Sequence, residues 1–275
     1  MSHKTFSRLA AFIHSELGIK MPDMKRPMLQ GRLQKRLRHL GIASFDDYAE
    51  YFFSPEGMKR EVPHLIDAVT TNKTDFFREP RHYDILVRVV LPCMVESRSM
   101  GVPRRLNVWS AACSTGEEPY TLAMVLSEFG ERIPGFRFCI LATDISSKVL
   151  EEAMRGIYEE ERIEPVPPVM RKKYLLRGKG DNKGLVRIVP ELRSLVRFQR
   201  LNLMDKDYGI RDPMDIVFCR NVIIYFDRPT QSKVLNSLVG HLKPGGYLFM
   251  GHSETLNGLE VPLVPIALTV YRKTE

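Results

Sequence analysis

The segment SAACSTGEEPY, residues 110–120, follows a strand-like run and opens a helix, and a turn of such small residues lets a ligand approach backbone amides closely. Asp144 ends the next strand-like run, RFCILATD, 28 residues after Gly116. An acid at that place can accept two hydrogen bonds from the hydroxyls of a ribose. The turn is not a GxGxxG loop, and Glu117 and Glu118 follow its glycine. Negative charge at a helix N-terminus opposes a pyrophosphate and suits a cationic amino or sulfonium group. The Walker-type phosphate loop is also missing from the sequence. An adenosine-type cofactor without phosphates is therefore expected, and S-adenosyl-L-methionine is the common one.

These groups need a scaffold that gathers strand ends. Strand-like runs at 105–109, 137–144, 195–203, 215–221 and YLFMGHS alternate with helical patterns at 117–129, 145–155 and 229–242, and LTVYRK reads as a last strand. KPGG before YLFMGHS reads as a turn. That alternation predicts an α/β fold with a mostly parallel sheet covered on both faces, binding its ligand beyond the carboxyl ends of the strands. Ser114 to Glu118, Asp144, Asn202, Arg220 and Asn221 all fall at such ends. Residues 173–199, containing LLRGKGDNKGLVRI, read as a hairpin insert.

The first 70 residues differ in kind. Phe6, Leu9, Ile13 and Leu17, then Leu29, Leu33 and Leu37, recur at helical spacing, and further helices are expected from Ser44 to Phe53 and over 59–70. Strand signals are lacking there. The chain divides into a basic all-helical domain at 1–70, a linker at 71–80 and an α/β domain at 81–275. Residues 1–40 hold nine basic and two acidic residues, 9 − 2 = +7, against a net charge of +8 for the whole chain. Arg32, Lys35, Arg36 and Arg38 share one helix, whose field favours an acidic partner. The four cysteines form no CxxC pair and the seven histidines no HxxxH or HxH spacing, so neither a disulfide framework nor a metal site is expected. No apolar run is long enough to span a bilayer and the N-terminus lacks a signal-peptide core, which reads as a cytoplasmic protein without membrane insertion.

TTNKTDFFREP, WSAACSTGEEPY, ATDIS, FCRNVIIYFD, LKPGGYLF and GHSE, in this order, closely resemble the CheR chemotaxis receptor methyltransferases over almost the whole chain. The resemblance implies a small all-helical domain, a linker, and a class I, Rossmann-like methyltransferase domain with a small antiparallel β insert. It implies transfer of the S-adenosyl-L-methionine methyl to receptor glutamates, giving glutamyl methyl esters and S-adenosyl-L-homocysteine. By motif position, Asn72, Thr74 and Arg78 of the linker contact the cofactor, one of Glu117 and Glu118 holds its amino group, and Asp144 holds the ribose. Asn202 and Leu203 border the adenine, and Arg220 and Asn221 line the methionine end. Arg78 and Tyr225 are the candidates beside the transferred methyl. The helical domain, through Arg32, Lys35, Arg36 and Arg38, meets the glutamate-rich cytoplasmic methylation region of transmembrane chemoreceptors, and the insert resembles one with which some members grip a receptor's C-terminal peptide. Cys113 stands where an alanine is expected.

The chemistry agrees with the residues. A glutamate side chain, with a reference pKa of about 4.3, is already an anion at neutral pH, and the sulfonium leaves as a neutral thioether, so no general base is required. Two other readings compete. A nucleic-acid methyltransferase would also use basic charge, but the amino-methylating DPPY or NPPY motif is missing and few aromatics interleave with residues 25–38. A non-catalytic module that senses the cofactor would have no need of Tyr225.

Overall fold

The computed structural model describes residues 1–98 and 105–274. Four helices open the chain: α1 (His3–Leu17), α2 (Arg26–Leu40), α3 (Phe45–Phe52) and α4 (Pro55–Val69). Local chemistry sets their ends. The Ser2, Ser44 and Ser54 hydroxyls accept the backbone N–H groups of Thr5, Asp47 and Gly57, and Gly18 and Gly41 close α1 and α2 in the left-handed conformation. Phe6, Leu9, Ile13, Leu29, Leu33, Tyr48, Phe52 and Leu65 bury into one core. The last helix starts four residues before the expected position 59, because Ser54 and Pro55 supply the cap and first turn, and it runs through Pro63.

After the linker, α5 (Arg81–Ile85) passes through a π-helical turn into α6 (Leu91–Arg98). The α/β part follows in the order β1 (Leu106–Ala111), α7 (Glu117–Gly130), β2 (Phe138–Asp144), α8 (Ser147–Arg155), β3 (Ile157–Glu159), α9 (Pro168–Tyr174), β4 (Leu175–Arg177), β5 (Leu185–Ile188), α10 (Pro190–Arg193) and β6 (Val196–Arg200). It ends with β7 (Met214–Cys219), α11 (Arg228–His241), β8 (Leu242–Met250), β9 (Leu263–Ala267) and β10 (Val270–Lys273). Seven strands form one sheet in the order β6-β2-β1-β7-β8-β10-β9. The first five are parallel, while β10 runs antiparallel to both β8 and β9.

Side chains alternate across the sheet, as strand geometry requires. Ile216 and Phe218 pack on the α7 side, whereas Val217 and Cys219 join Trp109, Val234 and Leu238 on the α11 side. From central β1 the chain steps outward to β2 and β6, then returns to β7 on the other side of β1. The loops after β1 and β7 therefore diverge and leave a crevice at their carboxyl ends.

Two expectations need correction. The insert is not a two-stranded hairpin over 173–199: β3, contributed from before α9, makes it a three-stranded antiparallel sheet β3-β5-β4, and residues 196–200 are the edge strand β6 of the main sheet. Three residues are too few to show an alternating pattern, which hid β3. KPGG lies inside β8, with Gly245 at φ 73° absorbing a register shift, and β9 in the tail was not foreseen.

Candidate active site

The turn after β1 is built from backbone conformations that side chains rarely adopt. Ala112 (φ 60°), Ser114 (φ 50°) and Gly116 (φ 97°) are left-handed. Phe77 and Glu79 in the linker and Asn221 after β7 are too; of the six left-handed non-glycine residues among the described residues, Ala112, Ser114 and Asn221 line one crevice, and Phe77 and Glu79 flank Arg78, which lines it as well. Such conformations cost about 1–3 kcal/mol each and persist where surrounding bonds over-determine them. At Gly116 a Cβ would stand 2.9 Å from both Ala153 Cβ and Tyr158 Oη, so only glycine fits between α7, α8 and the insert.

Asp144 fixes this turn. Its Oδ2 accepts the Ser114 N–H at 2.9 Å and its Oδ1 accepts the Ser146 N–H at 3.0 Å, while the Ser114 hydroxyl donates to the Asn72 carbonyl at 3.0 Å. Burial pushes the Asp144 carboxyl above its ordinary pKa, and the backbone donors pull it back.

The two glutamates that open α7 separate. Glu118 Oε1 accepts from the Ser110 hydroxyl at 2.7 Å and its Oε2 accepts from Arg220 Nη1 at 3.2 Å, and it lines the crevice. Glu117 does not. It is fully buried against the insert, where it accepts the Thr115 hydroxyl at 2.7 Å and pairs with Arg162. Successive helical residues point about 100° apart, so one pocket cannot take both. Of the two candidates it is Glu118 that lines the crevice, while Glu117 braces the turn against the insert.

The remaining expected residues line the same crevice. Asn72, Thr74 and Arg78 come from the linker, Asn202 and Leu203 from the segment after β6, and Arg220, Asn221 and Tyr225 from the segment after β7. Arg220 has a side chain only 2% exposed, and it donates to Glu79, Glu118 and the Tyr83 hydroxyl as well as to the Arg78 carbonyl. Asn221 is held through its backbone: its N–H and those of Ile223 and Gly251 all donate to the buried Glu254 carboxylate, at 3.0, 2.8 and 2.6 Å. Glu254, of the GHSE segment, and Glu79 were overlooked as supports of the site.

Sequence reasoning also missed a wall. Leu17 and Ile19, at the end of α1, line the crevice with Val69 and Phe226. The Lys20 N–H donates to the Tyr225 carbonyl at 2.8 Å, and Asn202 Nδ2 donates to the Glu16 carbonyl at 2.7 Å. The one signal was Gly18, where a Cβ would stand 2.6 Å from Met204 Sδ.

The basic residues of α2 lie elsewhere. Lys35 and Arg38 are exposed. Arg36 is held by buried Glu61, and Arg32 Nη1 donates to the carbonyls of Ala68, Val69 and Thr70, capping the end of α4. Arg36, expected to face a partner, serves the bundle core instead.

Glu79, His82 and His252 bring potential metal-ligand atoms within 4.8 Å of one another. The Arg220 guanidinium, 3.0 Å from Glu79 Oε2, already fills the cationic place, and burial pulls the His82 imidazole down to about 4, so it is neutral.

The donor set fits an adenosyl cofactor with a cationic end. Two carboxylates, Asp144 and Glu118, face a crevice that also has an apolar wall of Leu17, Ile19, Leu203 and Phe226, and the acids opening α7 disfavour phosphate. The CheR methyltransferase SAM binding domain matches residues 72–271, and the CheR methyltransferase all-alpha domain matches residues 4–70. A chemotaxis protein methyltransferase of Klebsiella aerogenes is 41% identical over 100% of this chain and 91% of its own length. The protein of that name from Escherichia coli is 41% identical over 98% of this chain and 91% of its own, and that from Borreliella burgdorferi 39% identical over 92% and 88%. The chain belongs to the CheR family of S-adenosylmethionine-dependent methyltransferases.

Proposed function

We propose that the chain methylates glutamate side chains in the cytoplasmic methylation region of chemoreceptors, forming γ-glutamyl methyl esters. The observation that carries the reading is the meeting of Asp144, Glu118, Arg78 and Tyr225 at one crevice of a chain in this family. Bound there, S-adenosylmethionine supplies a methyl group on a cationic sulfur. Asp144 is placed to accept ribose hydroxyls, Glu118 to accept the amino group, and Leu203 to cover the adenine. Asn72, Thr74 and Asn221 border the same ligand. The incoming glutamate is an anion at pH 7, so no residue need remove a proton. Arg78 and Tyr225 orient the carboxylate, and orientation of this kind is worth about 7–11 kcal/mol of the barrier. Family membership sets aside the nucleic-acid and non-catalytic readings.

Two surfaces suit a receptor. Lys35 and Arg38, exposed on α2, favour a glutamate-rich helix. The insert has open edges at β3 and β4, where Ile157 and Leu176 are exposed, and an extended receptor C-terminal peptide can add a strand to such an edge. The reaction belongs in the cytoplasm, and among the described residues no helix is long and apolar enough to cross a membrane. The test is transfer of labelled methyl to a receptor cytoplasmic fragment. The expected product is base-labile label on mapped glutamates, with none on RNA. Base-stable label, or label on RNA alone, refutes the reading.

A further inference from the structure

Glu79 lies beside the crevice rather than in it, yet its bonds run to the side of the site where Arg220 and Asn221 stand. Its Oε2 accepts from Arg220 Nη2 at 3.0 Å and Nε at 3.3 Å, and its Oε1 accepts from Asn221 Nδ2 at 3.3 Å and the His252 N–H at 3.2 Å. These bonds hold it in a left-handed conformation, φ 55°.

The charges around Arg220 are unequal in number. One guanidinium, 2% exposed, stands between two carboxylates, Glu79 and Glu118, each little exposed. Two of its nitrogens contact Glu79 and one contacts Glu118. With a single carboxylate as partner, Arg220 would neutralise Glu118, the only one of the two that lines the crevice. With Glu79 present, the cluster keeps one net negative charge, on the crevice side. Tyr83 and Ser110 add only neutral hydroxyls, to Arg220 and Glu118 respectively. At low effective dielectric such an excess charge acts strongly on a nearby cation.

We propose that Glu79 is a positioning residue that engages Arg220 and so leaves the Glu118 carboxylate free to take the cationic amino group of the cofactor. The inference rests on the cofactor assignment above. It makes Glu79 matter only to ligands that carry an amino-acid end.

The test compares two neutral-sulfur ligands by calorimetry on the full chain: S-adenosylhomocysteine, which has that end, and 5′-methylthioadenosine, which lacks it. Glu79→Gln should weaken S-adenosylhomocysteine about tenfold, the worth of one charge-assisted hydrogen bond, and leave methylthioadenosine within about twofold. Glu79→Asp, which keeps the charge, should recover most of the loss. Unchanged S-adenosylhomocysteine affinity in Glu79→Gln overturns the proposal, as does equal weakening of both ligands or a Glu79→Asp variant as weak as Glu79→Gln. A readout on the unaltered protein covers a Glu79→Gln variant that fails to fold. S-adenosylhomocysteine should bind about tenfold more tightly than its analogue that lacks the amino group, and equal affinities overturn the proposal. If the unaltered protein binds neither ligand, the cofactor assignment itself has failed.

Discussion

Arg36 grips Glu61 through two parallel hydrogen bonds, Nε to Oε2 at 2.9 Å and Nη2 to Oε1 at 2.7 Å, and the Glu61 side chain is fully buried. Removing one partner of such a pair strands a buried charge. Arg36→Ala should therefore cost about 3 kcal/mol in urea denaturation. Lys35 and Arg38 are exposed and enter no ion pair among the described residues. Reversing both to Glu should change stability by less than about 0.5 kcal/mol and leave cofactor affinity intact. It should slow methylation of a receptor fragment, most at low salt, because only the steering field is lost. Unchanged rates at low salt exclude α2 as the receptor-facing helix.

Asp144 holds two backbone N–H groups besides facing the crevice. Alanine would remove both acceptors and collapse the turn, so the informative change is Asp144→Asn, which keeps one acceptor oxygen and the volume. The expected stability loss is about 1–2 kcal/mol, from one backbone N–H left without its acceptor. Cofactor affinity should fall at least tenfold, about 1.4 kcal/mol, through loss of a charged acceptor for the ribose. Calorimetry showing parental affinity removes Asp144 from the ribose role.

How much of this was legible follows from how far apart the partners lie in the chain. Runs 138–144 and 214–219 are apolar because parallel strands are covered on both faces, so the sheet and the acid ending β2 could be read locally. The choice between Glu117 and Glu118 could not, since it depends on where Ser110, Arg162 and Arg220 arrive in space. Arg36 looked like its neighbours because its partner, Glu61, lies 25 residues on. Leu17 and Ile19 show only a helix end, whereas their place in the crevice is set by contact with residues 202–226.

Glu118 should make cofactor binding pH-dependent. Burial raises its carboxyl pKa, Arg220 and Ser110 lower it and Glu79 raises it further, with Tyr83, Cys113 and Cys219 the other titratable groups facing it. A bound cation favours the carboxylate. Affinity for S-adenosylmethionine should fall as pH drops through this raised pKa, approaching about tenfold per pH unit below it for one linked proton. In the ligand-free protein the same group lowers stability as pH rises from the ordinary carboxyl pKa up through the raised one, because over that window the folded state holds the extra proton. Saturating cofactor should therefore raise the Tm by a larger increment at pH 7.5 than at pH 5. Equal increments at the two pH values refute the assignment of Glu118.

The insert can be trimmed without reaching the turn. Tyr158 of β3 donates to the Thr115 carbonyl at 2.7 Å, so deleting the whole insert would disturb cofactor binding as well. Residues 179–183, between β4 and β5, are exposed. Shortening that loop should leave calorimetric affinity for S-adenosylhomocysteine unchanged and weaken capture of receptors through their C-terminal peptide. Loss of both equally makes the loop structural.

Gly18 and Gly41 provide a matched pair for the coupling between α1 and the crevice. Both end helices in the left-handed region, φ 68° and 67°. Around Gly41 a Cβ would meet nothing within 4 Å, whereas at Gly18 it would stand 2.6 Å from Met204 Sδ, 2.9 Å from Thr230 Cγ2 and 3.2 Å from Phe226 Cδ1. Gly41→Ala carries only the backbone penalty, about 1 kcal/mol, and should leave the cofactor site untouched. Gly18→Ala adds overpacking of about 1–3 kcal/mol, relieved by moving the end of α1 away from Met204 and Phe226. That movement displaces Leu17 and Ile19 from the crevice and breaks the bonds of Glu16 and Lys20 to Asn202 and Tyr225. Cofactor affinity should therefore drop in Gly18→Ala alone, in step with its excess loss of stability. Equal affinities in the two variants would show that the helical domain does not wall the cofactor site in solution.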